Sequence, residues 1–239
     1  MSTSGTLFLV PTPMGDVVES IFSDKYFIHV LSECRFFIVE EVKTSRRFLR
    51  KIISDFPIND SAFLEFNEHS TKNNLQDFLL QLKNGFNVCM MSEAGCPAVA
   101  DPGYPIVLEA HKQNIKVVPM IGPSSIMMAL MASGLPAQQF KFNGYLPAKG
   151  QDLKSKIKIL ERQSASEQLS QIFIETPYRN QSLFDQILEL AQPHTLLCIA
   201  SNLTQPDELI KTQTIADWHK NRWLAEKKPT IFILYSGKI

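Results

Sequence analysis

Two periodicities alternate along this chain. Short runs rich in β-branched and aromatic residues, at 6–10, 35–40, 87–91 and 116–120 and again at 171–174, 195–200 and 230–235, predict strands. Between them apolar residues recur at helical spacing. Asn74 stands before Leu75, Phe78, Leu79 and Leu82, with Gly85 placed to end that helix, and Leu183, Phe184, Ile187 and Leu190 repeat the pattern. Each stripe is wide enough to cover a sheet face. Strands alternating with helices predict an α/β fold with mostly parallel sheets.

At 239 residues the chain has room for one large or two modest domains. The segment Pro119, Met120, Ile121, Gly122, Pro123 follows a predicted strand, breaks regular structure and leads into Ser124 and Ser125, which suit a helix start. The division is therefore expected near residue 120, giving α/β domains 1–120 and 121–239. Residues 117–140 carry no charge, yet Pro119, Gly122, Pro123, Gly134 and Pro136 interrupt them. The helical part, 124–133, is about half of the ~20 apolar residues that a membrane span requires, and it reads as a buried helix. The polar stretch 149–167, with few apolar residues beyond Ile157, Ile159 and Leu160, reads as an exposed helix or a mobile loop.

Composition narrows the function classes. Hydrophobic residues make up 44% and charged residues 20%, which is globular rather than disordered. Lys plus Arg and Asp plus Glu both number 24, so any nucleic-acid surface must be local. Cys34, Cys89, Cys96 and Cys198 are scattered without a CxxC pair, which predicts reduced thiols and no metal site. The opening lacks a basic and then apolar leader pattern, so a cytoplasmic protein without membrane association is expected. GxG, GxxxxGK[ST], GxSxG and HExxH are all absent, which disfavours dinucleotide dehydrogenases, P-loop NTPases, serine hydrolases and zinc proteases.

What remains are Gly- and Pro-rich turns directly after predicted strands, where open α/β sheets place their ligands. Pro11, Thr12, Pro13, Met14, Gly15, Asp16 follow the first strand; a tight strand-to-helix turn needs the same residues. Ser92, Glu93, Ala94, Gly95, Cys96, Pro97 run closely into Asp101, Pro102, Gly103, which is more turn than one connection requires. Gly122, Pro123, Ser124, Ser125 suit an anion at a helix start or a simple cap. Glu175, Thr176, Pro177, Tyr178, Arg179 place a carboxylate, a hydroxyl and a guanidinium at one strand end, as a ligand site or as a turn with an ion pair.

Taken in order, the blocks LFLVPTPMG, SEAGCPAVADPGYPIV, VVPMIGPSSIMMALMASGLP, FNGYLPAK and IFIETPYR resemble the tetrapyrrole methylase superfamily. Within it they resemble the ribosomal RNA small subunit methyltransferase I group, which methylates a ribose 2′-hydroxyl of 16S rRNA. The resemblance implies two α/β domains, S-adenosylmethionine held in the cleft between them, no metal, and a homodimer. It implies cofactor contacts from Pro13, Gly15, Ser92, Glu93, Ala94, Gly95, Val99, Ala100, Asp101, Ser124 and Ser125. From the C-terminal domain it adds Glu175, Thr176, Asn202, Leu203, Thr204, Pro229 and Thr230.

The chain also departs from that group. Gly15-Asp16 stands for Gly-Asn, Glu40-Glu41-Val42-Lys43 for Glu-Asp-Thr-Arg, Glu93-Ala94-Gly95-Cys96-Pro97 for Asp-Ala-Gly-Thr-Pro, and Asn202-Leu203-Thr204-Gln205 for Glu-Leu-Thr-Lys. A Lys-Gly-Glu turn before Lys228-Pro229-Thr230 is missing. This is the pattern of a divergent member whose acceptor site differs more than its cofactor site. A hydroxyl acceptor must lose its proton, and Glu93, Glu40, Glu41 and Lys149 are the candidate bases; Glu40 and Glu41 equally suit local capping. Two basic groups suit RNA phosphates or a solvated face: Arg46, Arg47, Arg50, Lys51, and Lys141, Lys149, Lys154, Lys156, Lys158. Phe140, Phe142 and Tyr145 lie among the second and suit either base stacking or a core. The 16S rRNA or the 30S subunit is the expected partner. The alternatives are a small-molecule acceptor such as a tetrapyrrole, and a non-catalytic relative that only binds S-adenosylmethionine.

Overall fold

The computed structural model describes residues 4–16, 20–67 and 75–238. It forms two compact units, residues 1–124 and 125–239.

The first unit runs β1 (Thr6–Val10), α1 (Lys25–Glu33), β2 (Phe36–Val39), α2 (Val42–Ile52), β3 (Ala62–Glu65), α3 (Leu75–Lys83), β4 (Val88–Met91), α4 (Tyr104–Lys112) and β5 (Lys116–Pro119). Its five strands lie in the order β3-β2-β4-β1-β5, and every pairing is parallel. A parallel sheet needs crossovers on its faces. Here α1 and α2 bury Phe27, Leu31, Phe48 and Leu49 against Phe8, Val10 and Phe37 on one face. On the other, α3 and α4 bury Leu79, Leu82, Ile106 and Ala110 against Leu7, Ile38, Val88 and Met90. Gly85, at φ 92°, ends α3 as expected, its amide donating to the Leu82 carbonyl at 3.2 Å. Asn74, the expected start of α3, lies outside the described residues.

The second unit runs α5 (Ser125–Ala132), β6 (Phe140–Tyr145), α6 (Gly150–Glu167), β7 (Ser170–Glu175), α7 (Asn180–Leu190), β8 (Leu196–Ser201), β9 (Leu209–Thr214), α8 (Ile215–Lys220) and β10 (Thr230–Tyr235). The strand order is β6-β7-β10-β8-β9. Only β6 and β7 pair in parallel; β10 lies antiparallel between β7 and β8, and β9 folds back on β8. Parallel pairing thus predominates over the two sheets together, and every antiparallel strand pair belongs to the second. The physical reason is local: a seven-residue turn joins β8 to β9 without a crossover helix, so the chain must reverse. Leu153, Ile157 and Leu160 of α6, with Leu183, Phe184 and Ile187 of α7 and Trp218 of α8, cover one face, while α5 packs against β10.

Two expectations change here. Residues 149–167 are neither a loop nor exposed all round, because α6 buries Leu153, Ile157 and Leu160 on one side. The uncharged α5 is not wholly buried in this chain: Ala129 and Leu130 are, but Met131 is 79% exposed. Among the described residues no helix is long and apolar enough to cross a membrane. Cys34, Cys89 and Cys198 are buried, and all four thiols are free.

The densest part of the second core is aromatic. Phe232 stacks on Phe173 at 5.8 Å and meets the Trp223 ring at 6.0 Å, while Phe184 meets both Trp218 and Trp223 edge-on at 5.6 Å. Phe232→Ala is expected to destabilise the protein by about 3–5 kcal/mol, read as a lowered urea midpoint. A loss below about 1 kcal/mol would show that the cluster repacks.

Candidate functional site

In the first unit, β1 and β4 are neighbours whose connections depart to opposite sides: β1 leads to β2, and β4 leads to β5. Their carboxyl ends are the switch point where such sheets open a crevice. The two turns that follow are tied together. Thr12 and Gly95 exchange both backbone hydrogen bonds at 3.0 Å in an antiparallel bridge, although β1 and β4 themselves run parallel. The chain after β4 has therefore folded back, and Gly95 takes φ 75°, where glycine carries no Cβ penalty. The buried Thr12 hydroxyl donates to the Ser92 carbonyl at 3.1 Å, and the Ser92 hydroxyl donates to the Gly95 carbonyl at 3.4 Å.

Beyond Gly95 the backbone is strained. Ala98 and Ala100 sit at φ 64° and 61°, a left-handed conformation that costs an L-residue about 1–2 kcal/mol. Strain of this kind collects at functional sites. Val99 and Ala100 are exposed, and Asp101 accepts the Gly103 amide at 2.6 Å. Burial pushes the Asp101 carboxyl up, opposed by that hydrogen bond and one from Ala98. Gly122 is required on the neighbouring segment, since a Cβ there would lie 2.2 Å from the Pro11 Cβ.

The four candidate bases separate. Glu41 caps α2, accepting the amides of Lys43 at 2.8 Å and Thr44 at 2.6 Å, and these bonds hold its pKa below the usual carboxylate range. Glu40 accepts the Glu93 amide at 3.0 Å and so braces the turn after β4. Glu93 points the other way chemically: partial burial first, then the charges of Glu40 and Glu41, raise its pKa. Lys149 stands at the start of α6 in the second unit, exposed and making no side-chain cap.

A pocket of about 140 Å³ opens beside these turns. It is lined by Thr12, Pro13, Gly15 and Asp16 after β1, by Ser92 and Glu93 after β4, and by Thr44, Arg47, Phe48 and Lys51 of α2. Sequence reasoning did not place Thr12 or Thr44 there. The first basic group divides on α2. Arg46 lies over the Phe63 ring at 4.9 Å, Arg50 is exposed away from the pocket lining, and Lys51 donates to the Asp16 carbonyl at 2.7 Å.

The second unit gathers its candidate residues at one sheet end, where β7 and β8 finish and β10 begins. Buried Thr230 donates to the Ser201 hydroxyl at 3.0 Å and accepts from Asn180 at 3.1 Å; the Asn202 amide donates to the Pro229 carbonyl at 2.9 Å. Glu175 is buried, accepting the Thr176 amide and the Arg179 guanidinium, both at 2.6 Å. Asn202 and Thr204 are left-handed, at φ 54° and 68°, and Thr204 is β-branched, a true outlier. Leu203 between them is buried. Asn180, which the sequence did not single out, is wholly buried, and its Oδ1 has no hydrogen-bond partner among the described residues. Ser125 starts α5, with Ser124 immediately before it. The second basic group is spread over β6 and α6, and Lys154 is taken up by Glu189 at 3.6 Å. Phe140 and Tyr145 are exposed and Phe142 is half-buried, so none belongs to the core.

With this geometry in view, comparison with known proteins is decisive. The sequence model of the Tetrapyrrole (Corrin/Porphyrin) Methylases matches residues 28–218. The chain belongs to the tetrapyrrole (corrin/porphyrin) methylase family.

Relatives of this methylase carry one recurrent name. It is similar to ribosomal RNA small subunit methyltransferase I of Vibrio cholerae, 30% identical over 97% of this chain and 77% of that protein. It is 31% identical to the same enzyme of Buchnera aphidicola subsp. Baizongia pistaciae over 98% and 77%. For the Thermotoga maritima enzyme the identity is 29%, over 98% and 99%. Uroporphyrin-III C-methyltransferase of Thermus thermophilus shares the fold, with a TM-score of 0.55 at 16% identity, over 97% and 94% of the two chains. This methylase is accordingly an S-adenosylmethionine-dependent methyltransferase.

The residues present suit that cofactor. Glu40, Glu93 and Asp101 in the turns after β2 and β4 complement a sulfonium cation, and Glu93, Ala94, Val99 and Ala100 are exposed there. Among the described residues, no group of three or more His, Cys, Asp or Glu side chains is arranged to hold a metal.

Two outcomes follow. Folded Glu93 holds its proton more tightly than the unfolded chain does, so its contribution favours folding at low pH and is lost as pH rises through the raised value. Glu40→Gln removes one cause and is expected to lower the Glu93 titration point in carboxyl NMR; an unmoved titration would refute the coupling. Gly122→Ala is expected to cost about 1–3 kcal/mol in thermal or denaturant unfolding, and a wild-type midpoint would refute the close contact with Pro11.

Proposed function

We propose that this methyltransferase transfers the methyl group of S-adenosylmethionine to a ribose 2′-hydroxyl of 16S rRNA. The observation that carries the reading is the exposed basic face of α2, with Arg47 and Lys51 lining a pocket that Glu93 and the turn after β1 also line. Phosphate contacts need such a cluster. Similarity to rRNA methyltransferases over nearly the whole chain supports the same choice.

The proposed cofactor contacts in the first unit are Pro13, Gly15, Ser92, Glu93, Ala94, Gly95, Val99, Ala100 and Asp101, with Ser124 at its end. Ser125, Glu175, Thr176, Asn202, Leu203, Thr204, Pro229 and Thr230 are proposed on family resemblance, as are a homodimer and a cytoplasmic location. The sulfonium supplies an electrophilic methyl carbon. The ribose oxygen bonds to that carbon as the carbon–sulfur bond breaks, leaving a neutral thioether. The hydroxyl proton passes to the Glu93 carboxylate, whose raised pKa makes it a better acceptor than an ordinary glutamate. In-line positioning supplies much of the rate.

The test is incorporation of labelled methyl into 30S subunits from a strain lacking the gene, with wild-type subunits and a tetrapyrrole precursor as parallel acceptors. Label is expected only in the deficient particles, within an alkali-resistant dinucleotide, because a methylated 2′-oxygen blocks strand cleavage. Label in the tetrapyrrole alone would transfer the assignment to a small molecule. Cofactor binding with no acceptor labelled would make the protein a non-catalytic relative. Glu93→Gln is expected to lower kcat by about 10²–10⁴-fold, and a wild-type kcat would remove Glu93 as the base.

A further inference from the structure

We infer that Asn180 is a positioning residue for the cofactor, holding the segment Lys228, Pro229, Thr230 in the shape that S-adenosylmethionine meets. This rests on the reading of Pro229 and Thr230 as cofactor contacts and adds a side chain outside that set. Residues 221–229 join α8 to β10 without helix or strand. Three side chains of α7 tie them down: Asp185 pairs with Arg222 at 2.5 Å, Gln181 accepts the Ala225 amide at 2.8 Å, and Asn180 donates to the Lys228 carbonyl at 2.8 Å.

The Asn180 tie differs from the other two. Its amide nitrogen bridges one proline, donating to the carbonyl before it and, at 3.1 Å, to the Thr230 hydroxyl after it. Pro229 has no N–H of its own, so the donors that fix the chain there must come from elsewhere. Thr230 in turn donates to the Ser201 hydroxyl at 3.0 Å, and the Asn202 amide reaches the Pro229 carbonyl at 2.9 Å. One buried carboxamide thereby sets the entry to β10 and its junction with the turn after β8. Pro229 is exposed at that junction, so the buried network shapes a segment that a ligand can touch. The network is also incomplete. Asn180 is wholly buried, and its Oδ1 has no partner among the described residues. An unpaired buried acceptor costs stability, and leucine, with the same branching and no polar atom, would avoid that cost. A core selected for stability alone discards such a group; one that must shape a binding segment keeps it.

The experiment measures S-adenosylmethionine binding by titration calorimetry, with no acceptor present, and the urea midpoint of each protein separately. Asn180→Leu removes the donors and the orphan acceptor together, while Asn180→Asp keeps the size and turns donors into acceptors, so the outcome does not hang on one variant folding. Both are expected to raise Kd about tenfold, the effect of losing about one hydrogen bond, with the urea midpoint of Asn180→Leu close to wild type. Both are also expected to shift the NMR resonance of the Asn202 amide, which reports its bond to the Pro229 carbonyl. Gln181→Ala frees Ala225 on the same segment and is expected to leave Kd at the wild-type value. Pro229→Trp adds bulk to the exposed segment and is expected to weaken binding at least as much as the Asn180 variants do. Wild-type Kd in both Asn180 variants, with binding weakened by Pro229→Trp, would sink the inference and leave the reading of the segment standing. Wild-type Kd in Pro229→Trp would take the segment out of the cofactor site, and the reading and the inference would fail together. An equal rise in Gln181→Ala would make the effect a general tethering of residues 221–229 and overturn a role particular to Asn180, as would a raised Kd with an unmoved Asn202 resonance.

Discussion

The reciprocal backbone pair between Thr12 and Gly95 is the constraint on which the first unit's site depends. Parallel neighbours diverge at their carboxyl ends, because each must leave toward its own crossover. Here the turn after β4 bends back far enough to hydrogen-bond the turn after β1. The divergence becomes a pinned rim, and the cost is borne by left-handed backbone at Gly95, Ala98 and Ala100. Glycine absorbs the first of these without penalty; the two alanines do not. The close seat of Gly122 on Pro11 holds the same rim from the β5 side, where a side chain would collide.

Electrostatics then divides that rim. Glu40 and Glu41 lie next to each other in sequence, yet the fold gives them separate tasks, one bracing the Glu93 amide and the other capping α2. Partial burial first, and then both of these charges, make Glu93 keep its proton to a higher pH than an isolated glutamate would. Further along α2 the sign reverses at Arg47 and Lys51. A chain that is neutral in total, with 24 charges of each sign, lines one pocket with both signs.

The second unit reaches a comparable arrangement by other means. Its sheet is mixed, and residues of α7, β8 and β10 converge at one end through side-chain hydrogen bonds centred on Thr230. Strain at Asn202 and Thr204 marks that end as it does the turn after β4 in the first unit. The aromatic cluster of Phe173, Phe184, Trp218, Trp223 and Phe232 lies beneath it and supplies the rigid packing such backbone requires.

The amino-acid sequence by itself determined the central strands, the helices with strong apolar stripes and the turns that follow β1, β4 and β7. Central strands are buried on both faces, so their apolar runs stand out, and β1 and β10 begin and end where that pattern predicts. The ordered turn motifs likewise carried the family resemblance. Three strands went unread, β3, β6 and β9, and each is a sheet edge. An edge strand is partly solvated, so Ala62–Glu65 and Leu209–Thr214 mix polar with apolar residues, while β6 is further broken by a register shift between Phe142 and Tyr145. Only tertiary structure decided that β10 enters antiparallel between β7 and β8, because strand order follows from long-range pairing that local pattern does not encode. The same holds for the site. Thr12 and Asn180 are polar residues whose roles come from partners 80 and 50 positions away, and Glu40, Glu41 and Glu93 became distinguishable only once their hydrogen-bond partners were in place.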